Sequence, residues 1–490
     1  MIGLIANGQA VAATDPVRPP NMVLIMADDL GWGDVAYNGN PVVLTPHLDA
    51  MARESLRLDR FYAASPVCSP TRGSCLTGRH PSRYGMDWAS SYPLPLAEAT
   101  LPESLKPAGY RSGHFGKWHL GTMTADMTDG QRGRLGNIQE YSPPWNHGFD
   151  VCFSAEVNGP TYNPSVWGRD DQPGNPFIMN RAVEWGETTE KPGVKKSAAT
   201  FWTGPGVRDT SHLAGDSSEV IMDRAIDFIE AESTARTPFL AVIWFFSPHT
   251  PVSAGDTDRA PYANQPMEAQ HWYGCITAMD RQIGRLRTRL HELNIADNTI
   301  IWFCSDNGPS WTHTYNSAGP FRGKKGSLHE GGIRVPALLE WPARFRQPKV
   351  IDAPVGTVDF YPTLLACAGV RPVVRPGPLD GRDVLPLLDG SVRERSASLM
   401  FQSPSESIRE WQKSWDPATR QQALIGDRFK LMSEDGGKSY ALYDLIDDKS
   451  ETTDVAAKHP EKFQAMRREL ESWIGSCARS RAGADYGDAH

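Results

Sequence analysis

The chain alternates between unbroken apolar runs and stretches where apolar residues recur at helical spacing. Met22-Val23-Leu24-Ile25-Met26, Phe239-Leu240-Ala241-Val242-Ile243-Trp244-Phe245-Phe246 and the run 299–304 are continuously apolar. A strand buried on both faces of a parallel sheet has that pattern. Residues 110–115 predict a further strand. Leu48, Met51, Ala52 and Leu56 share one face of a helix over 46–56, with Pro46 suited to its first turn. Shorter helices are predicted over 70–76 and 101–106. Within 218–232, Ile221, Ala225, Phe228 and Ile229 form a stripe opposite Asp223, Arg224, Asp227 and Glu230. Within 268–293, Trp272, Ile276, Met279, Ile283, Leu286 and Leu290 form another. Strands alternating with amphipathic helices predict an α/β domain, a large and mainly parallel central sheet flanked by helices.

The pattern changes at Arg371-Pro372-Val373-Val374-Arg375-Pro376-Gly377-Pro378, a proline-rich linker. Beyond it, short strand candidates lie around 399–402, 423–425, 429–432 and 440–443, and a terminal helix covers 459–474. These predict a smaller C-terminal antiparallel sheet with one packed helix. The chain then divides into 1–20, a signal remnant or disordered N-terminus, 21–372, the larger domain, and 373–490, an α+β subdomain. A chain of 490 residues exceeds one ordinary core, which agrees with more than one unit. Segment 159–215, rich in Gly, Pro and Asn, is expected to be an irregular insertion.

The formal net charge of −8 argues against a nucleic-acid partner. No run of about 18 apolar residues is present, so no membrane span is expected. The seven cysteines, Cys68, Cys75, Cys152, Cys275, Cys304, Cys367 and Cys477, show no paired spacing, and no disulfide framework is expected. Met1-Ile2-Gly3-Leu4-Ile5-Ala6 followed by Ala10-Val11-Ala12-Ala13 reads as the end of a secretory signal without its basic start. A periplasmic or secreted protein is expected.

Four predicted strands end in ionisable residues: Asp28-Asp29, Lys117 with His119, His249, and Asp306-Asn307. Any one alone reads as a solvated turn. In open α/β sheets, however, sites form at the carboxyl ends of the strands, where all four could converge on one crevice. Three carboxylates and an amide oxygen are hard donors, suited to Ca²⁺ or Mg²⁺ rather than Zn²⁺. No His-x-x-x-His or paired-Cys spacing competes with them.

Cys68-Ser69-Pro70-Thr71-Arg72, followed by Thr77-Gly78-Arg79, resembles the sulfatase signature, Cys-x-Pro-x-Arg with Thr-Gly five residues after the Arg. The resemblance to this family, part of the alkaline-phosphatase-like superfamily, runs from Asn21 to Ala457. It implies that a maturation enzyme oxidises Cys68 to formylglycine (3-oxoalanine), whose hydrate is the nucleophile. Ala-Asp-Asp-Leu-Gly-Trp-Gly-Asp and Ser-Asp-Asn-Gly match the family's metal ligands. They imply one divalent cation, calcium before magnesium, on Asp28, Asp29, Asp306, Asn307 and the modified Cys68. Gly-Lys-Trp-His-Leu-Gly assigns Lys117 and His119, and Pro-His-x-Pro assigns His249. Arg-Gly-x-Lys-Gly assigns Lys325, with Lys324 as its rival. Asp359 and Leu442-Tyr443-Asp444-Leu445 also look like family landmarks, and read as packing and capping residues. After His147-Gly148-Phe149-Asp150, Ser154 and Asn158 compete for a polar role that neither clearly fills.

The same resemblance implies sulfate-ester hydrolysis. Arg72, Lys117 and Lys325 supply positive charge for an anionic substrate, and the start of the helix after Cys68 adds backbone N–H groups. One hydroxyl, activated by the metal, attacks sulfur in line, with a carboxylate such as Asp306 as base. His249 or Lys325 protonates the departing alcohol. His119 then deprotonates the second hydroxyl of the sulfo-enzyme, which expels sulfate and restores the aldehyde. A phosphate or phosphonate ester hydrolase of the same superfamily, or a non-catalytic binder of sulfated glycans, is the alternative. A sulfated carbohydrate is the preferred substrate. Tyr162, Asn163, Trp167, Asn175, Asn180, Trp185 and Trp202 could stack on and hydrogen-bond sugars, or could equally pack under a long loop. The sequence carries no signal of oligomeric state.

Overall fold

The computed structural model describes residues 18–164, 199–310, 315–372, 377–404 and 420–486. The signal-like residues 1–13 lie outside the described residues, as do Trp167, Asn175, Asn180 and Trp185 and part of the linker.

In chain order the first twelve strands are β1 (Asn21–Ala27), β2 (Leu56–Leu58), β3 (Phe61–Tyr62), β4 (Arg111–Lys117), β5 (Val151–Ala155), β6 (Phe201–Gly204), β7 (Val207–Asp209), β8 (Phe239–Trp244), β9 (Thr299–Ser305), β10 (Ala337–Glu340), β11 (Lys349–Ile351) and β12 (Val355–Gly356). Ten of them form one mixed, mainly parallel sheet in the order β11-β2-β10-β9-β1-β8-β4-β5-β6-β7. The strands β9, β1, β8, β4 and β5 are consecutive neighbours and all parallel.

The central position of β1 follows from its sequence. Met22, Leu24 and Met26 face one core, with Leu240, Val242, Trp244 and Trp302. Val23, Ile25 and Ala27 face the other, with Ala241, Ile243, Ile301 and Phe303. That second core is covered by the helices Ser217–Ala235 and Met267–Glu292, through the two predicted apolar stripes. The first face receives the helices Cys68–Thr77 and Phe360–Cys367, through Cys75, Leu76, Phe360, Leu364 and Leu365. The sheet and its covering helices therefore fix where residue 68 sits.

The strands β13 (Leu399–Pro404), β14 (Arg420–Ile425), β15 (Phe429–Ser433) and β16 (Ala441–Asp444) form the antiparallel C-terminal sheet in sequential order. Alternation divides its side chains as it should. Ala423, Ile425 and Met432 pack toward Tyr62, Leu328 and Ile333 of the larger unit. Leu424, Leu431 and Leu442 pack under Met466, Leu470 and Trp473 of the helix Pro460–Arg479.

Part of the expected irregular insertion is regular. β6 and β7 form a hairpin that extends the sheet edge, with Phe201 stacked on Phe153 at a centroid distance of 4.2 Å. The helix predicted over 46–56 stops at Glu54, and Leu56 opens β2. All seven cysteines are free. Among the described residues, no helix is long and apolar enough to cross a membrane.

Candidate active site

Because β9, β1, β8 and β4 are parallel neighbours, their carboxyl ends lie side by side. β1 runs into Asp28-Asp29, β9 into Asp306-Asn307, β4 into Lys117 and then His119, and β8 toward His249. The close approach of β4 to β8 requires Gly116, whose φ is 102°; a Cβ there would lie 2.0 Å from the Trp244 carbonyl oxygen. Asp29 and His119 are non-glycine residues with φ of 64° and 58°. Such conformations persist where the surroundings enforce them, and they cluster at functional sites. The Asp29 N–H donates to Asp306 Oδ1 at 3.1 Å, which ties the ends of β1 and β9 together.

Cys68 is the first residue of its helix and is buried. Its Sγ marks the place where formylglycine would carry its oxygen atoms. Burial pushes the thiol up to about 11, against the pull of Lys117 and Lys325.

Buried charge surrounds it. Arg72 Nη2 lies 2.6 Å from Asp306 Oδ2 and 3.4 Å from Asp28 Oδ2. Lys117 Nζ lies 2.6 Å from Asp28 Oδ2. Lys325 Nζ lies 2.6 and 2.8 Å from the two oxygens of Asp29. Burial raises the carboxyl of Asp28, but Lys117, His249 and Arg72 hold it below the usual range. Asp29 is likewise held low by Lys325 and His249 against burial. Asp306 goes the other way, raised by burial and by the charge of Asp28.

These residues fit a hard cation. The buried Asp28 Oδ1 and Asn307 Oδ1 have no hydrogen-bond partner, while Asn307 Nδ2 donates to Asp29 Oδ1 at 2.7 Å. Donor atoms of Asp28, Asp29, Cys68 and His249 all lie within 4.8 Å of one another. Both oxygens of Asp306 engage protein donors, Arg72 and the Asp29 N–H. The two unpartnered buried oxygens are hard donors that a cation would satisfy.

The side chains of His249 and Lys325 are 20% and 19% exposed, whereas those of Asp28, Asp29, Arg72 and Lys117 are sealed. The site therefore opens on the side of His249 and Lys325. The Nδ1–H of His249 donates to Thr250 O at 2.5 Å, which leaves Nε2 facing Asp29 Oδ2 at 3.7 Å. Burial moves both His249 and His119 below the ordinary imidazole range, the latter strongly, with Lys117 and Arg132 adding to the effect on His119.

Several other residues find structural places. Asn158 Nδ2 donates to Thr250 O at 2.7 Å, the carbonyl that also holds His249. Ser154 Oγ instead faces His114 Nδ1 at 2.7 Å inside the sheet. Asp359 accepts the Gly356 N–H and pairs with both Nη atoms of Arg395. Asp444 pairs with Arg428. Trp202 is buried and donates to Asp129 Oδ2 at 2.7 Å, and Asn163 Oδ1 accepts the Gly215 N–H. Residues absent from the sequence reading also reach the site. Ser90 contacts His119, and Gln421 of the C-terminal sheet holds the loop of Lys325.

Three cationic side chains around residue 68, beside hard oxygen donors, make a site suited to an anionic ester. Comparison with known proteins narrows that reading. Residues 20–370 match the family described as Sulfatase, and residues 323–478 match N-sulphoglucosamine sulphohydrolase, C-terminal. Steryl-sulfatase of Mus musculus is 32% identical over 458 residues, covering 81% of this chain and 69% of the relative. N-acetylgalactosamine-6-sulfatase of Canis lupus familiaris is 30% identical over 413 residues, covering 80% and 70%. The crystal structure of Ps i-CgsB is 25% identical with a TM-score of 0.73, covering 93% of each chain.

The chain belongs to the sulfatase family and is a sulfuric ester hydrolase. Membership implies a metal ion and a formylglycine.

Proposed function

We propose that this enzyme removes sulfate from a sulfated carbohydrate, with Cys68 matured to formylglycine as its nucleophile. The observation that carries the chemistry is the convergence of Cys68, Asp28, Asp29, Asp306, Arg72, Lys117 and Lys325 at the strand ends. Two relatives favour a sugar: one is named for a sulfated N-acetylgalactosamine, and Ps i-CgsB has been crystallised with a neocarrahexaose.

In this reading Asp28, Asp29, Asp306, Asn307 and the modified Cys68 hold one divalent cation, calcium in preference to magnesium. When bound, the ion supplies positive charge for the nucleophile and for a sulfate oxygen. Arg72 and Lys117 orient the hydrated residue 68, and Lys117 and Lys325 neutralise the sulfate. Asp306 accepts the proton of the attacking hydroxyl. The bond from sulfur to the substrate alcohol breaks, and His249 or Lys325, at the open side, protonates the departing oxygen. His119 then takes the proton of the remaining hydroxyl. Its electrons form the carbonyl, and the bond to the sulfated oxygen breaks with release of sulfate. A formylglycine-generating enzyme is required beforehand. We extend the proposal to export into the periplasm or medium, tested by locating the protein in cell fractions.

Sulfate release from sulfated oligosaccharides, a steryl sulfate, an aryl sulfate and an aryl phosphate tests the reading. A kcat/KM at least tenfold higher on an oligosaccharide is the expected result. Preference for the steryl sulfate would overturn the carbohydrate assignment, and preference for the phosphate would overturn the sulfate scheme.

A further inference from the structure

His119 is held through one ring nitrogen. Its Nε2 lies 2.8 Å from Ser90 Oγ, and that Oγ lies 2.5 Å from Gln131 Oε1. Its Nδ1 is buried and has no hydrogen-bond partner. A hydroxyl has one hydrogen, and an amide oxygen can only accept. With the Gln131 amide in this orientation, Ser90 directs its hydrogen to Gln131 and accepts from His119. A neutral His119 then carries its proton on Nε2 and a lone pair on Nδ1.

Other contacts keep Ser90 and Gln131 in place. Ser90 is a non-glycine residue with φ of 59°, a conformation its surroundings must enforce. Its N–H donates at 3.1 Å to the Oγ of Ser69, the residue after Cys68. The Gln131 N–H donates to Glu156 Oε1 at 3.1 Å, while the His119 N–H donates to Glu156 O at 2.8 Å. One chain of contacts thus joins the helix of residue 68, His119 and the loop of Gln131.

We propose that Ser90 and Gln131 are positioning residues that fix the tautomer of His119, so that Nδ1 is the atom that accepts the proton from residue 68. The inference rests on the role assigned to His119 above. In that step the Nδ1 lone pair takes the hydroxyl proton, the O–H electrons become the second carbonyl bond, and sulfate leaves with the electrons of its bond to carbon. The Nε2–H stays on Ser90 throughout.

Nitrogen NMR on the full chain with labelled histidine reads the tautomer without turnover, and His119→Asn assigns the ring. The expected result is an unprotonated Nδ1 and a protonated Nε2, with the preference lost in Ser90→Ala. A protonated Nδ1 in the unsubstituted protein overturns the proposal. In the matured enzyme, Ser90→Ala should lower kcat roughly 10- to 100-fold, with KM little changed, and sulfated enzyme should accumulate. Wild-type kcat in a folded Ser90→Ala protein would also overturn the proposal. If the tautomer is as stated but the matured enzyme releases no sulfate, the failure lies with the proposed function instead.

Discussion

Lys325 holds both carboxylate oxygens of Asp29, at 2.6 and 2.8 Å, from a loop 296 positions away in the chain. That loop is gripped by the C-terminal sheet. Gln421 Nε2 donates to Gly326 O at 2.8 Å, and its Oε1 accepts the Leu328 N–H at 2.9 Å. The smaller sheet thus aligns a charge in the site of the larger one.

Gln421→Ala removes these contacts and a third, from Nε2 to Pro404 O at 3.1 Å, and leaves buried backbone groups without those partners. Each such group costs about 1–3 kcal/mol. Lower stability in urea denaturation and a lower kcat/KM, from a misaligned Lys325, are the expected outcomes. Unchanged values of both would show that the loop holds itself.

Lys117→Met leaves the buried Asp28 without its 2.6 Å partner. Removing one member of a buried pair costs about 3–5 kcal/mol. The loss should be largest in chelated protein and partly reversed by calcium, because the cation takes over the same carboxylate. Melting curves with chelator and with calcium read this directly. A loss that calcium leaves untouched would separate Asp28 from the cation.

A cation that binds the folded protein alone raises its stability by about 2.7 kcal/mol at a hundredfold excess over its Kd. Calcium should raise the melting temperature of chelated protein more than magnesium does, and Asp29→Asn should shrink the effect. Identical melting in chelator, calcium and magnesium would contradict the assigned ligand set.

Acid should weaken the junction between the two sheets, where Glu451 accepts the Glu330 N–H and pairs with Lys430 of β15 at 2.9 Å. Burial alone would raise the Glu451 carboxyl, but Lys430 and His329 hold it at about 2, below its ordinary 4.5. A carboxyl with a lowered folded value stabilises above its unfolded value, and that contribution is lost as pH falls. The loss should run from about pH 4.5 down to about pH 2. Glu451→Gln should flatten this limb of the stability curve, which denaturation at stepped pH would show. An unchanged acid limb would remove Glu451 from the junction.

The central strands were legible because β1, β8 and β9 are buried on both faces, so their apolar runs are unbroken. β5 and β10 were not predicted: Val151–Ala155 and Ala337–Glu340 are five and four residues long, too short for a periodic pattern to stand out. The hairpin of β6 and β7 lies in a segment whose composition reads as loop, yet Phe201 and Trp202 bury against the sheet edge. The site residues at strand ends could be read because topology, more than side-chain detail, brings them together. Ser90, Gln131 and Gln421 carried no such signal. Their contacts depend on loop paths and on a φ of 59° at Ser90, which no local pattern encodes.

The most direct test is mass spectrometry of the tryptic peptide from Phe61 to Arg72, taken from protein made in its native host or together with a maturation enzyme. The account predicts a peptide lighter than the cysteine form and reactive toward a hydrazine, which marks an aldehyde at residue 68. An intact thiol in active protein would contradict it, and would move the nucleophile to another residue of the site.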